Sequence, residues 1–267
     1  MKSAIQLVMG LSMFAAALGA VGCSSGDDSS GPTINNAGSS SSAGSGSTAG
    51  GSSGTDLPSG IPLTPADGWV DGASNTAMIQ GALFSYADPT TMTSVMDTIK
   101  AGTGMNCVSG TAAKVDLMCT PVPPATDCYG TTWGAALGLN LNQPIDPTTM
   151  MGVMTPLAFD ATAAGITGFA FDLSGDMVPV AANFRFLIND MAGNQYCTGT
   201  AKAPKIGANV YHLADLIEEC WQAAKPTDLT GDKAANNIVK IAWQVVTNST
   251  ATVPFNFCVS NIEALTN

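Results

Sequence analysis

Five residues of this chain stand out as candidates for recognising a ligand through hydrogen bonds. Arg185 is the sole arginine, and its planar fork can donate several hydrogen bonds to sugar hydroxyls or to a carboxylate. Asn140, Asn142, Gln80 and Gln244 carry amides, which offer donors and acceptors together and suit hydroxyl-bearing ligands. These five form the expected ligand-binding set, with Trp133, Trp221 and Tyr211 as candidate stacking platforms. Each also has a plainer role. Arg185 can pair with a neighbouring carboxylate such as Asp172, the amides can serve turns, and large aromatics are core residues first, Trp133 and Trp243 above all.

The groups needed for catalysis do not assemble in the sequence. His212 is the single histidine, so a site needing two His ligands is excluded, and no G-x-S-x-G elbow accompanies it. Glu218, Glu219 and Glu263 are the only glutamates, and no aspartate pair stands out as the two carboxylates of a glycosidase. Phosphate-cradling and dinucleotide glycine motifs are missing. The expectation is a protein that is not an enzyme and carries no cofactor. An enzyme would announce itself as a cleft holding His212 beside an aspartate and a hydroxyl. Asp228 with Asp232, or Asp67 with Asp71, offer oxygen ligands of the kind Ca²⁺ takes. Neither segment matches an EF-hand loop, so both read as solvated acidic turns and no metal is expected.

The elements that must carry these residues alternate with period two. Trp133, Ala135, Leu137, Leu139 and Leu141 share one side of a strand, opposite Gly134, Ala136, Gly138, Asn140 and Asn142. Phe169, Phe171 and Leu173 oppose Gly168, Ala170 and Asp172, and Phe184, Phe186 and Ile188 oppose Asn183, Arg185, Leu187 and Asn189. Ile241, Trp243 and Val245 oppose Ala242, Gln244 and Val246, and Phe255, Phe257 and Val259 oppose Asn256, Cys258 and Ser260. One large apolar face and one small or polar face per segment predict an all-β fold, an antiparallel β-sandwich. Helical patterns are short, Asp215 to Ala224 and Thr91 to Lys100, and are expected as loop helices.

The amino terminus is of another character. Lys2 is followed by an apolar run from Ala4 to Val21 that ends in Ala20-Val21-Gly22-Cys23, the layout of a secretory signal. A transmembrane helix is the plainer reading of so apolar a run. Small residues before a cysteine resemble the lipobox of bacterial lipoproteins, which implies cleavage before Cys23 and a diacylglyceryl thioether on its sulfur. Residues 24 to 60 are mostly Ser, Gly, Thr, Ala and Asn, with almost no side chain large enough to offset the entropy of ordering. As a Gly/Ser coil this leash spans roughly 30 to 35 Å; a glycosylated stalk is the other reading of a Ser/Thr-rich stretch. The organisation expected is a signal peptide over 1–22, a Ser/Gly-rich tether over 23–62 and one β-sandwich domain over 63–267.

Nine basic residues against 20 acidic ones give a net charge of -11, and losing Lys2 with the signal takes it to -12. That sign repels phosphate backbones and argues against nucleic acid as a partner. With Cys23 acylated, six cysteines remain: Cys107, Cys119, Cys128, Cys197, Cys220 and Cys258. An even number in an exported chain predicts three disulfides. Each cluster of three is odd, so full pairing needs at least one bridge between the clusters. Zinc is the other use of such thiols, but no C-x-x-C pair occurs.

A family resemblance attaches to particular runs. Gly68-Trp69-Val70-Asp71-Gly72, Ile79-Gln80-Gly81, Tyr129-Gly130, Trp133-Gly134 and Leu139-Asn140-Leu141-Asn142 look like a group of lipoproteins from myxobacteria and their relatives. Phe184-Arg185-Phe186, Tyr196-Cys197, Cys220-Trp221, Ile241-Ala242-Trp243-Gln244-Val245 and Phe257-Cys258-Val259 fit the same group. That group is similar in strand layout to galactose-binding-like jelly rolls, the fold of many carbohydrate-binding modules. The resemblance implies two packed sheets with a concave outer face where such modules often hold sugar; together with the Asn, Gln and Arg face it leads to the expectation of a membrane-tethered, non-catalytic lipoprotein that binds polysaccharide or another glycan. An envelope structural or protein-interaction lipoprotein without a small ligand is the alternative. Ser24 after the lipidated cysteine points to the outer membrane or cell surface. If Cys23 bears the anchor, Cys23→Ser will move the expressed chain from the membrane pellet to the soluble fraction on fractionation; an unchanged distribution would refute the anchor.

Overall fold

Period-two alternation builds strands whose large apolar faces must be buried against one another, and two sheets packed face to face meet that demand. A computed structural model describes residues 60–89, 96–99, 105–120, 127–149, 151–221 and 229–266. One sheet runs in the order β10 (Gly207–His212), β7 (Ile166–Met177), β13 (Val253–Thr266), β5 (Asn106–Ala112) and β4 (Met96–Ile99), with β1 (Ile61–Pro62) also paired to β13. The other runs β11 (Ile217–Glu218), β9 (Gln195–Cys197), β8 (Phe184–Asp190), β12 (Ile238–Val246), β6 (Gly134–Asn140), β3 (Gly81–Ala87) and β2 (Trp69–Val70). Every ladder between these strands is antiparallel. The all-β antiparallel sandwich expected from the alternation is the architecture.

The predicted inward faces are the core. Phe169, Phe171 and Leu173 of β7, Phe184, Phe186 and Ile188 of β8, Ile241, Trp243 and Val245 of β12, and Phe255, Phe257 and Val259 of β13 are all buried. Rings from the two sheets meet between the layers: Phe184 and Phe257 at 4.9 Å between centroids, Phe171 and Phe186 at 5.2 Å, and Phe171 edge-on to Trp243 at 5.2 Å. Truncating any one of these rings to alanine removes about 3 to 5 kcal/mol of stability, so the sandwich is fixed mainly by this aromatic layer.

Three expectations are corrected. Trp133 does not share the side of Leu137 and Leu139. Gly134 adopts φ +112° and breaks the alternation, so Trp133 packs with Ala136 and Tyr86 on the outer face of the seven-stranded sheet. A side chain at 134 would also drive a Cβ to 2.0 Å from the Val245 carbonyl oxygen. Tyr211 is not a free stacking platform. It is buried, with its ring stacked on Phe186 at 5.3 Å and 16°. Among the described residues neither helical pattern is α-helix: residues 96–99 are β4, and residues 217–218 pair with β9 as β11. Only short 3-10 segments, such as Leu213–Asp215, occur in loops among the described residues; positions 91–95, 100 and 222–224 lie outside them.

Six cysteines form three disulfides. Cys107–Cys258 joins directly opposed positions of β5 and β13, while Cys119–Cys128 and Cys197–Cys220 close local loops. The bridge between the two sequence clusters is thus the one that spans 151 residues. In the chain-entropy model that loop stabilises by about 5 kcal/mol, against about 3 kcal/mol for a nine-residue separation. Replacing both members of Cys107–Cys258 by alanine is therefore expected to cost nearly twice as much in a denaturant titration as the same change at Cys119–Cys128. Equal losses would mean that loop entropy does not set their value.

Candidate functional site

The outward residues of the seven-stranded sheet fall into rows set by the register. Arg185 of β8 lies opposite Gln244 of β12, which lies opposite Ala136 of β6, itself opposite Tyr86 of β3. The next row is Cys197, Leu187, Ala242, Gly138 and Phe84, and the third holds Gln195, Asn189, Lys240 and Asn140. Ala136, Ala242 and Gly138 make a floor without protruding side chains. A Cβ at 138 would sit 3.0 Å from Tyr86 Cε1 and 3.3 Å from Phe84 Cζ, so the two rings lean over that floor because the glycine leaves room.

Two flanks rise from it. On one, the Arg185 guanidinium lies 5.1 Å from the Trp221 ring centroid. Trp221 follows Cys220, whose disulfide to Cys197 ties this segment to β9. On the other, Phe84, Tyr86 and Trp133 form a chain of rings with centroid spacings of 5.4 and 5.5 Å, and Lys240 Nζ stands 4.1 Å from the Tyr86 centroid. Both cations take part in cation–π contacts. Among the described residues no carboxylate comes within ion-pair distance of either; the ion pair there is Lys202–Asp215, at 2.5 Å. Burial lowers the Arg185 pKa to about 10 and draws the Lys240 pKa below its usual value, since desolvation disfavours a charged form. Burial raises that of the Tyr86 phenol.

Between the flanks lie amide oxygens without partners. Gln244 is 8% exposed, and its Oε1, like Asn189 Oδ1, is buried with no hydrogen-bond donor. A buried polar atom left unsatisfied costs about 1 to 3 kcal/mol. Asn140 donates through Nδ2 to Gln143 Oε1 at 2.9 Å, and Gln143 in turn donates to the Val153 carbonyl at 2.8 Å.

Of the five residues expected to bind ligand, Arg185, Gln244 and Asn140 come together on this face. Gln80 and Asn142 face each other in an isolated parallel bridge beyond the strand ends. Their side-chain amides donate to backbone carbonyls, Gln80 to Gln143 at 3.2 Å and Asn142 to Ala158 at 2.6 Å. Both thus anchor the loop after β6. The ion pair of Arg185 with Asp172 does not form: Asp172 belongs to β7 in the other sheet and accepts from Asn261 Nδ2 at 2.7 Å. Sequence reasoning overlooked Lys240, Asn189, Phe84 and Tyr86. The signal for Lys240 was its parity with Ala242 and Gln244 on the same strand.

His212 lies elsewhere, at a cleft of about 430 Å³ lined also by Thr162, Thr167 and Asp232. Among the described residues no carboxylate comes within 4.0 Å of its ring nitrogens, so the histidine–carboxylate pair of a hydrolytic triad is not assembled. Asp71 caps a 3-10 turn, accepting from the Ala73 N–H at 3.0 Å. No group of three metal-ligating side chains occurs among the described residues; Asp228 lies outside them.

No family model and no curated protein matches the sequence. Among solved structures, an agarase is similar with 10% identity and a TM-score of 0.36, over 64% of this chain and 22% of the agarase. The family 11 carbohydrate-binding module of a cellulosomal cellulase of Clostridium thermocellum is similar with 14% identity and a TM-score of 0.31, over 65% of this chain and 94% of the module. That module in complex with a β-1,3-1,4-mixed-linked tetrasaccharide gives 13% identity and a TM-score of 0.30, over 65% of this chain and 95% of the module. The chain spans under a quarter of the agarase's length.

An unpaired buried acceptor and a half-buried cation compensated only by a π face are burdens on the free protein. Gln244→Met keeps the shape and removes the orphan oxygen, so it should raise the unfolding free energy by about 1 kcal/mol. Arg185→Met should be neutral or stabilising on the same scale. A loss above about 1 kcal/mol for either in urea unfolding would show a structural role instead.

Proposed function

We propose that this protein is a membrane-tethered exported lipoprotein whose sandwich binds carbohydrate, without catalysis, on the outer face of the seven-stranded sheet. The observation that carries the reading is the pair of donor-less buried acceptors, Gln244 Oε1 and Asn189 Oδ1, set between aromatic flanks. Sugar hydroxyls supply donors to such acceptors, and sugar rings present C–H faces to aromatic platforms. Asn140 and Arg185 extend the polar set; Gln80 and Asn142 then support the rim. Tethering through Cys23 rests on the lipobox and the Ser/Gly leash, and the three disulfides fit an oxidising compartment.

A second reading, a protein-interaction lipoprotein of the envelope, is favoured by the loop after β6. Ile145, Met151, Met154 and Leu157 there are exposed, and apolar side chains gathered on a surface mark docking sites.

Titration calorimetry of the full chain against a panel of soluble polysaccharides separates the two. The expected result is saturable binding to at least one polymer, weakened tenfold or more, equal to about 1.4 kcal/mol, by Trp221→Ala and by Gln244→Met. Silence across the panel, or binding indifferent to both substitutions, would overturn the carbohydrate reading. A substitution such as Met154→Asp that abolishes capture of an envelope protein would then support the second.

A further inference from the structure

Of the cations whose side chains are described, Lys114, Lys202, Lys205 and Lys233 are exposed, and only Arg185 and Lys240 are half-buried. Both lie on the outer face of the seven-stranded sheet, in a chain with 20 acidic residues to choose partners from. Neither has a carboxylate at ion-pair distance among the described residues. A desolvated charge held only by a π face is incompletely compensated, because cation–π contacts return less than hydration did. Charge-assisted hydrogen bonds to an anion would complete it.

The two cations are held apart. Arg185 faces Gln244 across the ladder, and Lys240, four residues along β12, sends its Nζ back to Tyr86 in Arg185's own row, three strands away, about 14 Å at the usual strand spacing. Arg185 lies against Trp221 beyond Cys220, and Lys240 lies against Tyr86 and Phe84 of β3 on the far side of β6. A single small anion cannot meet both flanks at once. Between them sits Gln244, more than nine-tenths buried, with its unpartnered Oε1, an acceptor for hydroxyl groups. Acidic groups repeating along a hydroxyl-rich chain are the chemistry that satisfies all three.

Resting on the carbohydrate reading above, we infer that the face selects an anionic polysaccharide, with Arg185 and Lys240 each meeting an acidic group of the chain and Gln244 accepting from a hydroxyl between them. The guanidinium fork suits a carboxylate or a sulfate held side-on by two parallel hydrogen bonds. The chain as a whole is acidic, net -11, which makes this face the local exception.

The test compares polygalacturonate with the same polymer fully methyl-esterified, which removes charge and keeps the sugar, in calorimetric titrations of the full chain. Dextran sulfate in a third arm distinguishes sulfate from carboxylate. The acidic polymer, or the sulfated one, should bind at least tenfold tighter than the ester. Arg185→Gln and Lys240→Gln should each reduce that preference several-fold and together abolish it, with the thermal midpoint checked for each variant. Arg185→Lys should retain part of it. Equal affinity for acid and ester forms, or binding of a neutral β-glucan alone, would overturn the anionic inference and leave carbohydrate binding standing. Silence from every polymer would remove both. The wild-type comparison of acid with ester stands even where a variant fails to fold.

Discussion

Everything about this molecule's outer face follows from the pleat of β6, β8 and β12. In each strand one parity is filled by rings and branched chains that the facing sheet demands: Leu137 and Leu139, Phe184 and Phe186, Ile241 and Trp243. Because the side-chain period is two, a one-residue slip would turn that whole set to the wrong side. The aromatic layer therefore fixes the register of the opposite face as firmly as its own. Arg185, Gln244 and Ala136 stand in one row because Phe184, Phe186, Trp243 and Leu137 cannot stand anywhere else.

Local devices then shape the face the register has fixed. Gly134, with its left-handed φ, shifts Trp133 out of the alternation and adds it to the ring flank. Gly138 gives Phe84 and Tyr86 space to lean across the floor. The Cys197–Cys220 bridge ties the segment before Trp221 to the strand next to β8, so the guanidinium of Arg185 meets a tethered ring. On the opposite sheet, Cys107–Cys258 joins β5 to β13, the strand that also carries β7 and β1, and secures the layer against which the first is packed.

The core was legible in the sequence because its cause is periodic. Five alternating segments account for the strands at the centre of both sheets, β6, β7, β8, β12 and β13, and in β7, β8 and β13 phenylalanines recur at every second position. β5, β9 and β10 were not legible, since runs such as Asn-Cys-Val-Ser-Gly-Thr-Ala have weak inward faces and owe their strand state to longer partners. Propensity fails there because pairing supplies the energy. The candidate site was half legible. Parity placed Arg185, Gln244 and Asn140 on one kind of face, but which strands are neighbours decides whether they meet, and parity is silent on that. Gln80 and Asn142 have the right chemistry and fall one and two residues beyond regular pairing, where loop carbonyls claim their amides. Trp133 was misplaced by a single glycine, a backbone effect that side-chain patterning does not record.

The site's chemistry is dear to the fold and this ranks it among the parts of the chain selected for something other than stability. Unpaired amide oxygens on Gln244 and Asn189 and two half-buried cations lie on a face where alanine and leucine neighbours would pack without cost. Among the described residues nothing satisfies them, and a partner supplying hydroxyl donors and negative charge together would release as binding energy what folding left unmet.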